Sequence, residues 1–237
     1  ENALDLNSGT IRDPAGNNAT LTHSEVPYNT GYKVDTMAPT VDNFTLSDTA
    51  LKAGDNATVT LVFSEAVTGF DNADITGSNG TLATMTSSDN KTWTGTFTPA
   101  ANMEEASNTL RLGGTYYDPA GNTGTDNTTS NYEIDTLAPT AGSFSLDDYL
   151  LKPGDNATVT LVFSEVVTGF DSDDDIEHPE GTFPAMTLDT SDNVTWTGIF
   201  TPIFVDVDTQ DWINTLSLGT NYTDLAGNTG TDNTSLN

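Results

Sequence analysis

The stretch Asp135-Thr136-Leu137-Ala138-Pro139-Thr140 decides how this chain is divided, because residues 35–40 carry nearly the same sequence. The segment after each copy repeats as well: residues 51–65 return almost unchanged as residues 151–165. A period of about a hundred residues is longer than a solenoid repeat and suits a whole small domain. The sequence therefore predicts two domains in tandem, with the Asp-Thr-x-Ala-Pro-Thr stretch as the joint between them.

This period divides the chain into three segments. Residues 35–134 form one full repeat, and residues 135–237 form a second repeat that is expected to lack its last strand. Residues 1–34 are expected to be the C-terminal remnant of a preceding repeat, with only its last two strands. The remnant is recognised by its Asp-Pro-Ala-Gly-Asn sequence at residues 13–17, which returns at residues 118–122 and, with Leu for Pro, at residues 224–228.

The composition narrows the range of partners. The chain has 237 residues, with 35 Asp and Glu against 6 Lys and Arg, so its formal net charge is -29. Such a field repels phosphate backbones and anionic membranes and attracts cations, which argues against nucleic-acid binding. No apolar run approaches the length of a membrane span, so we expect no membrane insertion. Cysteine is absent, which excludes disulfides and thiolate metal sites. A surface rich in Thr, Asn, Asp and Gly is consistent with an extracellular or cell-surface protein.

Strand signals dominate within each repeat. Val59, Leu61 and Phe63 stand at every second position, with Thr58 and Thr60 between the apolar residues, which is the period of a half-buried strand. About seven short strands in a hundred residues, with turn signals between them, predict an all-β fold of immunoglobulin-like Greek-key β-sandwiches arranged end to end. Trp93 and Trp196 are expected in the cores. Residues 100–107 are expected to form at most one short helical turn.

Acidic residues gather in the segments that should meet at one pole of such a sandwich. These segments are the start of the first strand, the loop after the second strand and the loop after the sixth. The candidate metal ligands of the first repeat are Asp35, Glu65, Asp71, Asp74, Asp118 and Asn122, and those of the second are Asp135, Glu165, Asp171, Asp175, Asp224 and Asn228. Hard oxygen ligands without His or Cys favour Ca²⁺, with Mg²⁺ as the second choice. The alternative is that these acids are merely solvated, and this is the interpretation we favour for Asp173, Asp174, Asp206 and Asp208.

The same motifs carry a resemblance to a known family. Asp-Thr-x-Ala-Pro-Thr, Phe-Ser-Glu-x-Val-Thr-Gly-Phe, Trp-Thr-Gly-x-Phe-Thr-Pro and Asp-x-Ala-Gly-Asn together resemble the bacterial Ig-like tandem repeats of giant secreted adhesins of the RTX, type I-secreted class. The resemblance implies a rod of end-to-end repeats with structural Ca²⁺ near the joints, which projects a distal region for attachment of cells, as in biofilms. It implies metal-binding roles for Asp35 and Asp135, Glu65 and Glu165, and Asp118 and Asp224. Asp13 matches the same turn motif.

The sequence leaves other functions open. An enzyme is not expected, because His23 and His178 lie in variable stretches and no nucleophile–base arrangement recurs. Trp212 is the best candidate contact if one repeat binds a carbohydrate or a protein. A third hypothesis is a filament that polymerises head to tail by donor-strand addition, with the surplus strand around residues 32–34 as donor. The expected partners are neighbouring Ig-like repeats, in the same chain or in such a filament.

Overall fold

The structure, a computed structural model, describes residues 10–19, 34–178, 181–203, 215–231 and 233–235. The chain divides into two units, residues 1–36 and residues 37–237. In the first unit, residues 13–17 form a turn closed by an isolated bridge between Arg12 and Asn18. In the second unit the regular structure is almost entirely strand, and this unit contains both copies of the long repeat.

The first repeat is built from short strands in three sheets. Its strands are β1 (Val41–Leu46), β2 (Ala50–Lys52), β3 (Ala57–Phe63), β4 (Ile75–Thr76), β5 (Gly80–Leu82), β6 (Thr92–Pro99), β7 (Glu104–Asn108), β8 (Arg111–Leu112), β9 (Asn127–Thr128) and β10 (Tyr132–Asp135). The sheet orders are β1-β3-β6-β5, β2-β10-β7 and β4-β8-β9. Every pair is antiparallel except β2 with β10, which run parallel. One 3₁₀ turn, Asn72–Asp74, precedes β4.

The described part of the second repeat has counterparts of two of these sheets, β1-β3-β6-β5 and β4-β8-β9. Its strands are β11 (Ala141–Leu146), β12 (Ala157–Phe163), β13 (Ile176–Glu177), β14 (Gly181–Thr182), β15 (Thr187–Leu188), β16 (Thr195–Pro202), β17 (Leu216–Leu218) and β18 (Asn233–Ser235). The larger sheet has the order β11-β12-β16-β14, with β15 also on β16, and the smaller has the order β13-β17-β18. A single-turn helix, Ser172–Asp175, stands where the first repeat has its 3₁₀ turn.

The alternating sequence explains why β3 and β12 are the central strands. Val59, Leu61 and Phe63 are fully buried, while Thr60 and Val62 between them are only partly buried. Because successive side chains of a strand point to opposite faces, this pattern gives one apolar face to the core. Thr58 and Thr60, opposite Thr96 and Thr94 of β6, lie on the other face. On the core face, Leu61 stands opposite Trp93. The same sequence at residues 157–163 forms β12, which pairs with β16 in the equivalent register.

Each core lies between the larger sheet and the smaller ones. In the first repeat, Val59 and Phe97 from the larger sheet pack with Leu112, Tyr132 and Ile134 from the others. Residues from both layers in one buried cluster are the mark of a β-sandwich. The all-β architecture predicted from the sequence is therefore confirmed. Trp93 and Trp196 lie at the borders of the two cores, partly buried, with their rings on Phe70 and Phe170.

The segment at residues 100–107 differs from its prediction. At most one short helical turn is predicted there and no strand, but Glu104–Asn108 is a strand, β7, that pairs with β10. Its first four residues are exposed, so it carries no alternation of apolar and polar side chains. A strand at the border of a sheet is held by backbone hydrogen bonds to one neighbour, and this requires no apolar face. The hydrophobic pattern therefore could not indicate it.

A tyrosine and a glycine lock the loop after β8. Tyr116 is fully buried, and its hydroxyl donates a hydrogen bond of 2.8 Å to the Thr125 carbonyl oxygen. Gly124 lies on the ring, so a Cβ at that position would stand 2.0 Å from a ring carbon. Tyr222 and Gly230 repeat the arrangement, with the corresponding distance at 2.1 Å. The close approach of backbone to ring leaves no room for a side chain.

We expect Gly124→Ala to lower the free energy of unfolding by about 1–3 kcal/mol, because Tyr116 or the loop must move to admit the methyl group. Gly113→Ala is the matched control. Its nearest neighbour to an added Cβ is an oxygen at 3.7 Å, and we expect a change within about 0.5 kcal/mol. Urea denaturation of both variants measures the difference. Equal stability of the two variants would contradict the assignment of Gly124 to the ring contact.

Candidate metal centre at the joint

The linker between the repeats is held from both sides. Thr136 is buried against the first repeat, where its N–H donates to the Met103 carbonyl oxygen and its hydroxyl to the Ala100 carbonyl oxygen, each at 2.7 Å. Thr140 belongs to the second repeat, because its N–H donates to the Ser164 hydroxyl at 3.0 Å and its carbonyl accepts from the Ser164 N–H at 2.8 Å. Only residues 137–139 separate these two anchors, so the chain has little freedom to bend there.

The Asp-x-Ala-Gly-Asn turn presents a buried carboxylate beside this linker. Asp224 Oδ1 accepts hydrogen bonds from the N–H groups of Gly227 at 2.6 Å and Asn228 at 2.8 Å, and Oδ2 accepts from the Asn228 side-chain amide at 2.7 Å. Gly227 has a φ of +92°, a conformation that glycine adopts without strain. These contacts close the turn on itself and fix the direction of the carboxylate.

Asn228 also ties the turn to the linker and to the first repeat. Its side-chain amide donates to the Asp135 carbonyl oxygen at 2.9 Å. Its side-chain oxygen accepts a hydrogen bond of 2.8 Å from the N–H of Ala53, in the turn after β2. The sequence predicted Asn228 as a metal ligand, but in the structure this oxygen is engaged by the backbone. Asn228 therefore serves to position the turn against its neighbour.

Three carboxylates meet at the centre of these contacts. Asp135 ends β10, Glu165 follows β12, and Asp224 opens the turn. Each offers an oxygen within 4.8 Å of the other two. Asp224 is only 1% exposed, and Glu165 and Asp135 are half-buried. None of the three forms an ion pair with a described lysine or arginine; the described ion pairs are Arg111 with Asp126 and Lys152 with Asp155.

A fourth carboxylate comes from the first repeat. Glu104 lies on β7 directly opposite Asp135 in the antiparallel pairing with β10. Side chains opposite each other on paired strands lie close enough to interact. Glu104 is not among the ligands predicted from the sequence, because no strand is predicted at residues 104–108. Recognising β7 as the partner of β10 would have found it.

The clustering of negative charge changes the acidity of the site. Burial of the Glu165 carboxyl, together with the negative charges of Asp224, Asp135 and Glu104, raises its pKa to about 7. Burial also raises the pKa of Asp135; the hydrogen bond from the Leu137 N–H works to lower it, and the negative charges of Asp224 and Glu104 add to the rise. Carboxylates that share a site disfavour each other's charged form, and a bound cation relieves this repulsion.

The donor set fits a hard dication. The three converging groups are carboxylates. The Asp135 and Leu137 carbonyl oxygens accept from the same Asn228 side-chain amide that bonds to Asp224. Ca²⁺ takes six to eight oxygen ligands in flexible geometry, whereas Mg²⁺ requires a near-octahedral shell and keeps several waters. An arrangement of carboxylates from three separate segments suits the larger ion better. Asp135, Glu165 and Asp224 are the residues that would hold it.

Some predicted ligands have local roles instead. Asp71 accepts from the Ala73 N–H, and Asp74 accepts from the Asp71 N–H, which together form a capping box around Asn72–Asp74. Asp171 and Asp175 do the same for Ser172–Asp175. Side-chain oxygens at such positions satisfy backbone N–H groups at a helix start. These four residues lie outside the converging groups.

The first repeat carries the same turn. Asp118 is buried and accepts from the Asn122 N–H and the Asn122 side-chain amide at 2.8 and 2.7 Å. Burial works to raise the pKa of Asp118, but the hydrogen bonds from Asn122 outweigh it, and the pKa is lowered. Glu65 follows β3 as Glu165 follows β12. Asp35 belongs to the other unit, residues 1–36. Its role as a ligand with Glu65 and Asp118 therefore stays a prediction.

The N-terminal unit has a third copy of the turn. Asp13 accepts from the Asn17 N–H at 2.9 Å and from the Asn17 side-chain amide at 2.8 Å. The side-chain hydrogen bond from Asn17 is the main cause of the lowered pKa of Asp13. Trp212, Asp206, Asp208 and His23 lie outside the described residues, and the hypotheses on them stay untested.

Comparison with known proteins gives one family. The profile of the bacterial Ig-like domain matches residues 35–134 and again residues 135–237. The chain belongs to the bacterial Ig-like domain family. Bacterial Ig-like domains are generally non-catalytic structural modules, typically extracellular or surface-exposed, and tandem copies are typical of extender or surface modules. A comparison with curated proteins finds no match. Among the described residues, no helix is long and apolar enough to cross a membrane.

The raised pKa of Glu165 predicts that the stability of these Ig-like repeats depends on pH in the absence of metal. A carboxyl with a higher pKa in the folded protein than in the unfolded chain contributes stability while it is protonated. For Glu165 this contribution is present below about pH 4.5 and is lost as the pH rises to about 7. We therefore expect the thermal unfolding midpoint in chelator to decrease as the pH is raised from 5 to 8. The decrease should be smaller in the Glu165→Gln variant.

Glu177→Gln removes one charge from an exposed position in the same repeat and serves as the control for this experiment. It should leave the pH dependence unchanged. If the unfolding midpoint of the Glu165→Gln variant keeps the full wild-type pH dependence, the pKa of Glu165 is not raised in the folded protein.

Proposed function

We propose that this chain is a structural extender segment of a bacterial surface adhesin. In this proposal the Ig-like repeats form a rod, and Ca²⁺ at the joints stiffens it. The rod projects a distal binding region for attachment to cells or surfaces, as in biofilms. The observation that supports the proposal is the meeting of Asp135, Glu165 and Asp224 at the short linker between two repeats.

The physical argument starts from the linker. Residues 137–139 connect the Thr136 anchor to the Thr140 anchor. Within them, the Leu137 carbonyl oxygen accepts from the Asn228 side-chain amide at 3.5 Å and the Pro139 carbonyl oxygen accepts from the Thr231 N–H at 3.2 Å. The ring of Pro139 restricts the backbone further. Asp135 belongs to β10 of the first repeat, whereas Glu165 and Asp224 belong to the second. An ion held by all three would therefore bind both repeats and remove most of the remaining hinge motion. A stiff rod holds a distal domain away from the cell with less loss of entropy than a flexible chain.

Because the carboxylates repel one another, the proposal predicts opposite effects of Glu165→Gln on stability without metal and with Ca²⁺. Without metal, Glu165→Gln removes a repulsive charge, so at pH 8 we expect it to raise the unfolding midpoint of the second repeat. With Ca²⁺, the same variant lacks a ligand, so Ca²⁺ should raise its unfolding midpoint less than it raises that of the wild type. At a hundred times its dissociation constant, an ion stabilises the folded state by about 2.7 kcal/mol. For a domain of this size that corresponds to a rise of about 10 °C or more.

Differential scanning calorimetry in Ca²⁺, in Mg²⁺ and in chelator measures these shifts, with Glu177→Gln as the matched control. We expect Ca²⁺ to act at lower concentration than Mg²⁺. The same midpoint in Ca²⁺ as in sodium at equal ionic strength would mean that the carboxylates are only a solvated surface. The calcium-stiffened rod would then be abandoned.

Stiffening is measured separately from stability. Because the chain has no cysteine, spin labels can be placed at Ser88→Cys in the first repeat and Ser191→Cys in the second without further changes. Both positions are exposed. We expect the distance distribution between the labels to narrow on addition of Ca²⁺, and Glu165→Gln to prevent the narrowing. Stabilisation without narrowing would assign the ion to the repeat alone and contradict its role at the joint.

A further inference from the structure

The ends of β2 and β10 lie side by side where the first repeat meets the second. The two strands pair in parallel, and their last paired residues are Lys52 and Asp135. Ala53 follows β2 directly, and its N–H donates to Asn228 Oδ1 of the second repeat at 2.8 Å. The Asp135 carbonyl oxygen accepts from the Asn228 side-chain amide at 2.9 Å. Each of the two strands therefore ends with a backbone group that is bonded to the second repeat.

One carboxamide bridges both strand ends. Its oxygen accepts the N–H at the end of β2, and its nitrogen donates to the carbonyl oxygen at the end of β10. A peptide group offers the same donor and acceptor, so the side chain of Asn228 takes the place that a further backbone segment would take beside these strands. Asn228 is only 3% exposed. Water therefore cannot easily replace either hydrogen bond.

Two backbone groups in this arrangement recognise a carboxamide in particular. A carboxylate has no donor for the Asp135 carbonyl oxygen, and a hydroxyl has a single oxygen that cannot span both groups. The turn also fixes the backbone that carries the amide, because the Asn228 N–H donates to Asp224 Oδ1 at 2.8 Å. A glutamine at this position would be a methylene too long to place its amide in the same way. The strand ends therefore fit an asparagine.

The side chain of Lys52 adds a second contact between the repeats. It is half-buried and lies over the backbone of Gly227, where an added Cβ would stand 3.0 Å from Lys52 Nζ and 3.7 Å from Cδ. The corresponding lysine of the second repeat, Lys152, pairs with Asp155 of its own turn at 3.0 Å. Both lysines are followed two positions later by the same Gly-Asp pair. The local sequence therefore does not explain the difference, whereas the neighbouring repeat beside Lys52 does.

We propose that the two strand ends form a docking site for the Asn228 carboxamide, and that this site sets the orientation of the repeats without metal. Asn228 also donates to Asp224 Oδ2 at 2.7 Å, so docking holds Asp224 close to Asp135. An ion would then find its ligands already assembled, and its binding would not have to order them. The docking itself does not depend on the proposed function; only its effect on calcium affinity rests on it.

The turn after β2 allows the N–H of the docking site to be removed alone. The Asp55 N–H donates to the Lys52 carbonyl oxygen at 3.1 Å, and Gly54 has a φ of +88°. This is the form of a type II turn, in which proline is common at the position that Ala53 occupies. The second repeat has Pro153 there and makes the corresponding hydrogen bond at 2.9 Å. We therefore expect Ala53→Pro to keep the turn and to delete the donor.

The orientation is measured in chelator, with spin labels at Ser88→Cys and Ser191→Cys. Loss of the hydrogen bond should lower the ratio of docked to undocked joints about fivefold, so Ala53→Pro should broaden the distance distribution. Ala53→Ser is the matched control: it keeps the N–H, its side chain is exposed, and the distribution should stay as in the wild type. Circular dichroism establishes that both variants are folded.

Three outcomes would overturn the docking site. The first is an Ala53→Pro distribution as narrow as that of the wild type. The second is equal broadening by Ala53→Ser, since the N–H would then not be the cause. The third is a wild-type distribution in chelator that is already as broad as that of Ala53→Pro.

A second variant tests the site from the other repeat. Asn228→Asp can still accept from Ala53 but cannot donate to the Asp135 carbonyl oxygen, so it should also broaden the distribution in chelator. Asn122→Asp removes the equivalent amide from the turn of the first repeat and should leave the distance between the labels unchanged. An Asn228→Asp variant that keeps the narrow wild-type distribution would show that the amide is not what the strand ends recognise, and the proposal would fall.

The effect on the ion is a separate measurement. By isothermal titration, we expect the dissociation constant of Ca²⁺ to be about fivefold higher for Ala53→Pro than for the wild type and Ala53→Ser. If Ca²⁺ does not bind to the wild type, the calcium of the proposed function is wrong, while the distributions in chelator still decide on the docking site. If Ca²⁺ binds to all three proteins equally tightly, the claim that docking assembles the ligands is overturned.

Discussion

The side chain of Asn228 is the contact on which the joint between the repeats depends. It is buried, and it bonds at once to its own turn through Asp224, to the linker through Asp135 and to the first repeat through Ala53. A buried amide that loses one such partner leaves a polar group unsatisfied at a cost of about 1–3 kcal/mol. The contacts therefore select one arrangement of turn, linker and neighbour before any ion is present. The cost of that arrangement is the burial of Glu165 beside the negative charges of Asp135 and Asp224, and both effects raise the pKa of Glu165.

One strand serves both repeats. β10 completes the smaller sheet of the first repeat between β2 and β7, and its last residue, Asp135, is one of the converging carboxylates of the second. If β10 leaves its sheet, Asp135 leaves the site and Asn228 loses its partner on the linker. The stability of one repeat is therefore linked to its neighbour through a few hydrogen bonds rather than a large apolar interface. In tandem arrays such nearest-neighbour terms decide how far unfolding spreads.

The sequence was informative where a local pattern determines the structure. Alternation in residues 57–63 indicated β3 and the central layer, and the position of Glu165 and Asp224 after particular strands was enough to predict that they meet. It failed where tertiary contacts decide. β7 is polar and exposed, so neither the strand nor Glu104 could be found from periodicity. Asp71 and Asp171 have the composition of ligands, but hydrogen bonds to backbone N–H groups two residues away turn them into helix caps. Residue type alone cannot separate these two roles.

The three copies of the Asp-x-Ala-Gly-Asn turn show which part of the joint is local. Gly16, Gly121 and Gly227 all have φ between +91° and +95°, and each turn closes with the same hydrogen bonds from Asn to Asp. The contact of a glycine with a tyrosine ring beside the turn is present in the two full repeats but not in the N-terminal unit. Where Gly124 lies on the ring of Tyr116, the N-terminal unit has Ala19 and Ile11, joined by the same backbone hydrogen bond of 2.8 Å. A methyl group is accepted where no aromatic ring lies below it. Gly124 is therefore required by the Tyr116 ring, whereas Gly121 is required by its positive φ. The turn keeps its form with or without the contact to the ring. Five residues are therefore sufficient to present the aspartate, and its neighbours determine whether other carboxylates converge on it.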